Sequence, residues 1–393
     1  MFIFLKLGLL YVAGNKDDFT FNKTNLLKTP SGRKILKKGI LKDEGYRQFK
    51  KYADLSKKEY DEFVLRFRND VYGLLISDSS PISTHDEFIK EIGGSEALRL
   101  DSKDFAKIKD KLLKDGSLFD RIKRILNSNF VKMTFPVFYA LYDGFMGFKK
   151  DPSLLNLRNS VIDGHVIAID LSEPMDRILD KDEDTDYLDD YKYLNPYILS
   201  LAKQKITTLG DDVYREFEKG FKDALDGQQL DYEMKIGLKD LTYENLEQSY
   251  KKYRSILGTA GKNMSLNQKP LSEIYYIGMS KAAECVGCGN EIQDAIVTSG
   301  IKSPSWPLFY SITTGNVRKG FKLTLDKSYS YLSEANSAIS MLDDEFKVKP
   351  FLGFLFLTVS HYNEFWYQEL LSNRMDLLTK FQKDIDDKKT VNL

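Results

Sequence analysis

The sequence predicts a mainly α protein with a minor β component: an α+β, multi-helix architecture with a small N-terminal hairpin and a short central strand region. Three observations predict it. Apolar residues recur at steps of three and four over most of the chain, the period of a helix with one buried face. Two short stretches depart from that period: an apolar run near the N-terminus, and 161–170, which is rich in β-branched residues. The 393 residues include 25 Phe and 23 Tyr, ample material for a core. At about 100–200 residues per domain, that length suggests two or three domains.

Met1 to Gly14 is apolar, but Lys6 lies inside the apolar run and not before it, which favours a buried strand over a signal peptide. A second strand near Thr20 and Phe21 would complete a hairpin. Thr29-Pro30-Ser31-Gly32-Arg33-Lys34-Ile35-Leu36 then opens a basic helix. Together with Leu7-Gly8-Leu9-Leu10, that string is similar to the wing and final helix of winged-helix DNA-binding domains. The resemblance is confined to residues 1–40 and lacks the upstream recognition helix. A plain hairpin with a basic connector fits the same residues.

From Asp43 to Asn129 the pattern is helical. Phe49, Tyr52 and Leu55 recur at steps of three, and Tyr60, Phe63, Val64 and Phe67 continue an apolar face. Phe105, Ile108 and Leu112 form a second stripe, broken by Gly116. Leu118, Ile122, Ile125 and Leu126 form a third. Lys107, Lys109, Lys111, Lys114, Arg121, Lys123, Arg124 and Lys132 make this region basic, either as a solvated face or as a nucleic-acid contact. The aromatic stretch that follows puts Phe138, Leu141 and Phe145 on one helix face, as core.

The period changes at Val161-Ile162-Asp163-Gly164-His165-Val166-Ile167-Ala168-Ile169-Asp170, where we expect a strand turn and a buried strand over 165–170, with His165 as a hydrogen-bonded core residue. The acidic run from Asp180 to Asp190 is self-repelling and is expected to be an exposed loop. Helices are expected at 211–225 and 241–257, the latter with Leu246, Tyr250, Tyr253 and Leu257 on one side. The polar, glycine-bearing segment 258–270 is the expected mobile connector. Helices then follow at 271–284, 289–299, 327–345 and 351–384. This organisation gives an N-terminal domain of hairpin plus helices at 1–150, a central α+β domain at 151–257 and a C-terminal helical domain at 271–393.

Lys+Arg and Asp+Glu both number 58, so the formal charge is zero, which argues against a surface that grips nucleic acid over its whole extent. No apolar run approaches the roughly 20 residues of a membrane span. Two cysteines make no disulfide framework and favour a reducing, cytoplasmic setting.

Those cysteines, Cys285 and Cys288, are followed by Gly289. A Cys-x-x-Cys-Gly has the shape of a zinc knuckle, in which the spacer lets two thiolates face one metal. Further zinc ligands would have to be non-cysteine or intersubunit. Packing within a helix turn and a redox pair are the other readings. A second constellation resembles the core of PD-(D/E)xK nucleases. Asp163 or Asp170 would end a strand, Glu233-Met234-Lys235 supplies the Glu-x-Lys, and Gln248 follows on a helix. The resemblance implies Mg²⁺ held by the two acids, with the Lys positioning or activating water. No Gly-x-Ser-x-Gly and no Gly-x-Gly-x-x-Gly is present. The segment Phe351 to Phe381 is more apolar than one helix stripe needs, so Phe365, Trp366 and Leu370 are expected to meet a partner chain or a second copy. Many helical stripes and sparse catalytic signals point to a non-catalytic interaction or assembly subunit of an intracellular multi-protein complex. A Mg²⁺-dependent nuclease, in a setting such as genome defence, and a nucleic-acid-binding module are the alternatives.

Overall fold

The structure, a computed structural model, describes residues 44–94, 96–114, 116–126, 129–180, 187–301, 303–343 and 346–389. Among the described residues there are fifteen α-helices, joined by short turns and 3₁₀ segments, and no strand. The protein is therefore mainly α. The expected N-terminal hairpin lies outside the described residues. The expected central strand is corrected: 165–170 belongs to the helix Arg158–Asp180. Its residues from Val161 to Leu171 are buried almost without interruption. A helix buried around its circumference loses its amphipathic period, and its β-branched residues then look like a strand. Gly164 is no turn residue. A Cβ there would lie 2.7 Å from the side chain of Ile206 on the neighbouring helix.

The chain forms two compact units. The first contains Lys50–Lys219 and Asn263–Asn267. It holds most of α1 (Glu44–Ser77), then α2 (Pro81–Glu91), α3 (Phe105–Leu113), α4 (Ser117–Leu126), α5 (Asn129–Lys149), α6 (Arg158–Asp180) and α7 (Leu188–Thr207). The inward face of α1 carries Phe63, Phe67, Val71 and Leu75, none of them exposed. The Phe63 ring meets Phe135 edge-on at 4.8 Å. Phe138, Leu141 and Phe145 of α5 are fully buried, as are Val161, Ile162 and Val166 of α6, the helix against which α5 packs. His165 is a core residue of α6: its Nε2 lies 3.1 Å from Asn263 Nδ2.

The second unit contains Gly220–Lys262 and the residues from Gln268 onward, with the first turn of α1. Its helices are the end of α8 (Asp211–Lys235), then α9 (Tyr243–Ser249), α10 (Lys251–Asn263), α11 (Leu271–Val297), α12 (Trp306–Thr314), α13 (Val317–Ser340), α14 (Val348–Asn373) and α15 (Met375–Lys389). The helix α11 packs against both α13 and α14. Every residue from Ala282 to Asn290 in it is buried. It runs unbroken through the Cys-x-x-Cys stretch, where two helices had been expected. Gly287 allows this packing: a Cβ there would sit 3.0 Å from the Tyr253 ring. Residues 258–263, expected as connector, are the last turns of α10, and burial continues through Ser265. The glycines serve close contact here. A Cβ on Gly261 would lie 2.9 Å from the Tyr275 carbonyl and 2.8 Å from Met279 Cγ. No helix among the described residues is long and apolar enough to cross a membrane.

Candidate functional site

A convergence of charge and aromatic rings lies in the second unit, where α9, α10, α11, α12 and α13 supply it. Local sequence sets these elements. Thr242 caps α9, its hydroxyl accepting from the Asn245 amide at 3.1 Å. Ser305 caps α12 in the same way through Leu308, with Pro307 in the first turn. Gly315 ends α12 at φ 65°, and Asn316 caps α13 by accepting from the Lys319 amide at 2.9 Å. Gly320 lets α13 press against the backbone of Ser311. This tight corner faces Trp306 toward Lys327.

Trp306 is fully buried. Around it stand Tyr243 at 5.2 Å, Tyr310 at 5.4 Å, Tyr250 at 5.8 Å and Phe309 at 5.9 Å between ring centroids. Lys327 Nζ lies 4.1 Å from the Trp306 centroid and 4.9 Å from those of Tyr243 and Tyr331. It donates to the Glu247 carboxylate and, at 3.2 Å, to the Tyr243 hydroxyl. Tyr331 also donates to Glu247, at 2.9 Å, and the Arg254 guanidinium stands 3.6 Å away. Arg254 continues to Glu284 at 2.7 Å, and Lys281 bridges Glu284 and Glu334 at 3.0 and 3.2 Å. Behind the rings, Glu291 accepts from the Tyr250 hydroxyl and from the Trp306 amide, both at 2.9 Å.

The electrostatics follow from burial set against pairing. Burial alone would depress Lys327, but the hydrogen bond and charge of Glu247 outweigh it and leave the ammonium held above its ordinary value. Burial would likewise raise Glu247, yet the Lys327 hydrogen bond and charge, the Tyr331 hydroxyl and Arg254 hold it low. These two groups are a charged pair. At Glu291 burial wins. It pushes the carboxyl up to about 8, and the Trp306 amide, the Tyr250 hydroxyl and the charge of Lys252 only moderate the rise.

Cys285 and Cys288 lie on the same helix as Glu284 and Glu291, and neither is exposed. Burial pushes the Cys285 thiol up to about 12 and Cys288 well above its ordinary range, which favours the thiol form of each over the reactive thiolate where no metal is bound. Asn363 Nδ2 donates to the Cys285 carbonyl at 2.8 Å and lies 3.4 Å from its sulfur. The Tyr250 hydroxyl is 3.7 Å from the Cys288 sulfur. Among the described residues, no group of three or more His, Cys, Asp and Glu is placed to hold a metal ion.

Asp163 and Asp170 lie in the first unit on α6, two turns apart, about 10 Å along the axis. Asp163 is fixed by a two-pronged pair to Arg66 at 3.2 Å, and burial raises it to about 6 against the pull of that cation. Glu233 and Lys235 lie in the second unit on α8. The nuclease resemblance asks for strand ends, where residues i and i+2 share a face. On a helix those positions point to different sides, so Glu233 and Lys235 diverge. Gln229 donates to Glu233 at 3.0 Å. Gln248 lies on α9.

The basic stretch of the first unit is partly turned inward. Arg121 and Lys111 both bind Asp190, at 2.6 and 2.9 Å, and Arg121 lies 3.5 Å from the centroid of the Tyr187 ring. Asp190, expected in an exposed loop, is thus a buried anchor. Of the expected partner contacts, Leu370 is fully enclosed in its own chain, in a cluster with Ile292, Phe321 and Phe381. Trp366 packs half-buried against that cluster, with Phe365 edge-on to it at 5.2 Å.

Sequence reasoning missed the cage round Lys327. Its only local signal is aromatic density, in Trp306-Pro307-Leu308-Phe309-Tyr310 and Tyr329-Ser330-Tyr331. No protein-family model matches the chain, and no curated protein matches it.

Proposed function

We propose that the protein is a non-catalytic helical interaction or assembly subunit of a multi-protein complex. The observation that carries this is the outward face of α1. Leu65, Tyr72 and Ile76 are 47%, 46% and 54% exposed. They stand at positions i, i+7 and i+11, within about 40° of one another at 100° per residue. The opposite face, Phe63, Phe67, Val71 and Leu75, is already consumed by the core. A helix with one apolar face spent on its own core and a second one displayed has the pattern of a helix-pairing seam. Phe365 and Trp366, half-buried on α14, are the second proposed contact.

The interior polar groups support the same reading. Glu247, Glu284, Arg254, Lys281 and Lys327 are paired with one another. The first unit has a groove of about 520 Å³ between α2 and α7, floored by Phe88, Pro196 and Leu199. The Lys203 ammonium at its rim is engaged by Glu91 and lies 3.7 Å from Glu218.

Light scattering across a concentration series tests the proposal. The wild type is expected to associate, and Leu65→Asp with Ile76→Asp to abolish association without changing helical content. A wild type whose mass stays that of one chain, with an unaffected double variant, overturns the α1 seam.

A further inference from the structure

Lys327 sits among three aromatic rings and a carboxylate, all groups that attract a cation. Three ring faces stand 4.1–4.9 Å from its Nζ. The polar atoms it meets, the Glu247 carboxylate and the Tyr243 hydroxyl, are acceptors. A lysine that only needs a counter-ion is served by the carboxylate. Three rings round one ammonium is the arrangement that recognises alkylated ammonium groups. We propose that Tyr243, Trp306, Tyr331 and Glu247 form a recognition site for methylated or otherwise alkylated ammonium groups, held shut by the chain's own Lys327.

Two further features fit a site that opens. Tyr243 is 43% exposed, so one wall faces solvent, whereas Trp306 forms a fully buried back. Tyr243 and Glu247 are four residues apart on the seven-residue helix α9, so one short element carries both the outer ring and the carboxylate. The indole Nε1 of Trp306 is buried with no acceptor among the described residues. Lys327 is tethered and competes at high effective concentration, so an external ammonium binds the wild type weakly. The site is separate from the α1 seam and stands or falls independently of it.

The test removes the tethered competitor. Lys327→Ala empties the cage, and Lys327→Met keeps an apolar stem while removing the charge, serving as the better-packed second variant. Each is titrated with choline and with 3,3-dimethylbutan-1-ol, its neutral isostere, following tryptophan fluorescence and melting temperature. Choline is expected to bind Lys327→Ala at least about tenfold more tightly than the isostere and more tightly than it binds wild type. It is also expected to raise the melting temperature of either variant more than the isostere does. Adding Glu247→Gln should shrink that preference. Equal effects of choline and isostere, or no choline effect on either variant, overturn the proposal.

Discussion

Replacing Gly261 with alanine separates two accounts of the segment 258–270, because they predict opposite signs. In a mobile connector the change would be neutral or would stabilise by up to about 1 kcal/mol, through lower entropy of the unfolded chain. In the structure Gly261 is in α10, where alanine gains about 1 kcal/mol of helix propensity. Against that, the new Cβ lies 2.9 Å from the Tyr275 carbonyl and 2.8 Å from Met279 Cγ. Met279 can swing aside, but the carbonyl belongs to the backbone of α11, and relief there needs the two helices to part. Overpacking costs about 1–3 kcal/mol, and about 2–3 kcal/mol where backbone must move, as here. We therefore expect a net loss of about 1–2 kcal/mol, or about 2–8 °C in melting temperature for a unit of this size. Circular dichroism melts measure it. Gly73→Ala on α1 is the control, since a Cβ there meets nothing within 4 Å, and it should stabilise by up to about 1 kcal/mol. A Gly261→Ala protein as stable as wild type, or more stable, would refute the close-packing account.

Burial holds His165 down at about 3 and His361 at about 4, from an ordinary 6.5. A depressed folded value means stability is complete above 6.5 and is lost as pH falls toward those values. That loss is on the order of 3–5 kcal/mol for His165, and His165→Gln should flatten the acid limb of the melting-temperature profile. Glu291 works oppositely: its folded value is raised to about 8 from 4.5, so stability is lost as pH rises from 4.5 through about 8, and Glu291→Gln should remove that slope. Arg121→Met leaves Asp190 buried with Lys111 as its remaining cation, and should cost about 3 kcal/mol in urea unfolding; a loss below about 0.5 kcal/mol would mean Asp190 is not held as described. Ellman's reagent should find no reactive thiol in the native protein and two after unfolding. Fast reaction of either cysteine in the native state would contradict their burial.

The helical class and many core faces were legible in the sequence because they depend on local period. Phe63 and Phe67, Ile108 and Leu112, and Leu118, Ile122 and Ile125 sit inside as their spacing says. The strand expected at 165–170 failed because α6 is enclosed on several sides, and full burial erases the period that distinguishes helix from strand. The break expected between 284 and 289, and the connector at 258–270, failed for a different reason. Glycine marks either a flexible turn or a close approach, and the two differ only in what stands opposite. Tyr253 stands opposite Gly287, and Tyr275 opposite Gly261. The Lys327 cage was invisible on the same grounds. Its partners Tyr243 and Glu247 lie 84 and 80 residues away in sequence, and no local pattern announces a pairing at that distance. The cysteine and Glu-x-Lys motifs drew attention because they are local. The structure shows how little a motif means off its element, since a Glu-x-Lys that would converge on a strand diverges on α8.

The central claim, that the outer face of α1 meets another chain, is tested most directly by a photo-crosslinking residue at Tyr72. The control position is Leu155, an equally exposed aliphatic at 52% on a 3₁₀ turn of the same unit. The account predicts intermolecular adducts from position 72, abolished by Leu65→Asp with Ile76→Asp, and none from position 155. No adduct from position 72, or equal adducts from both positions, would contradict it.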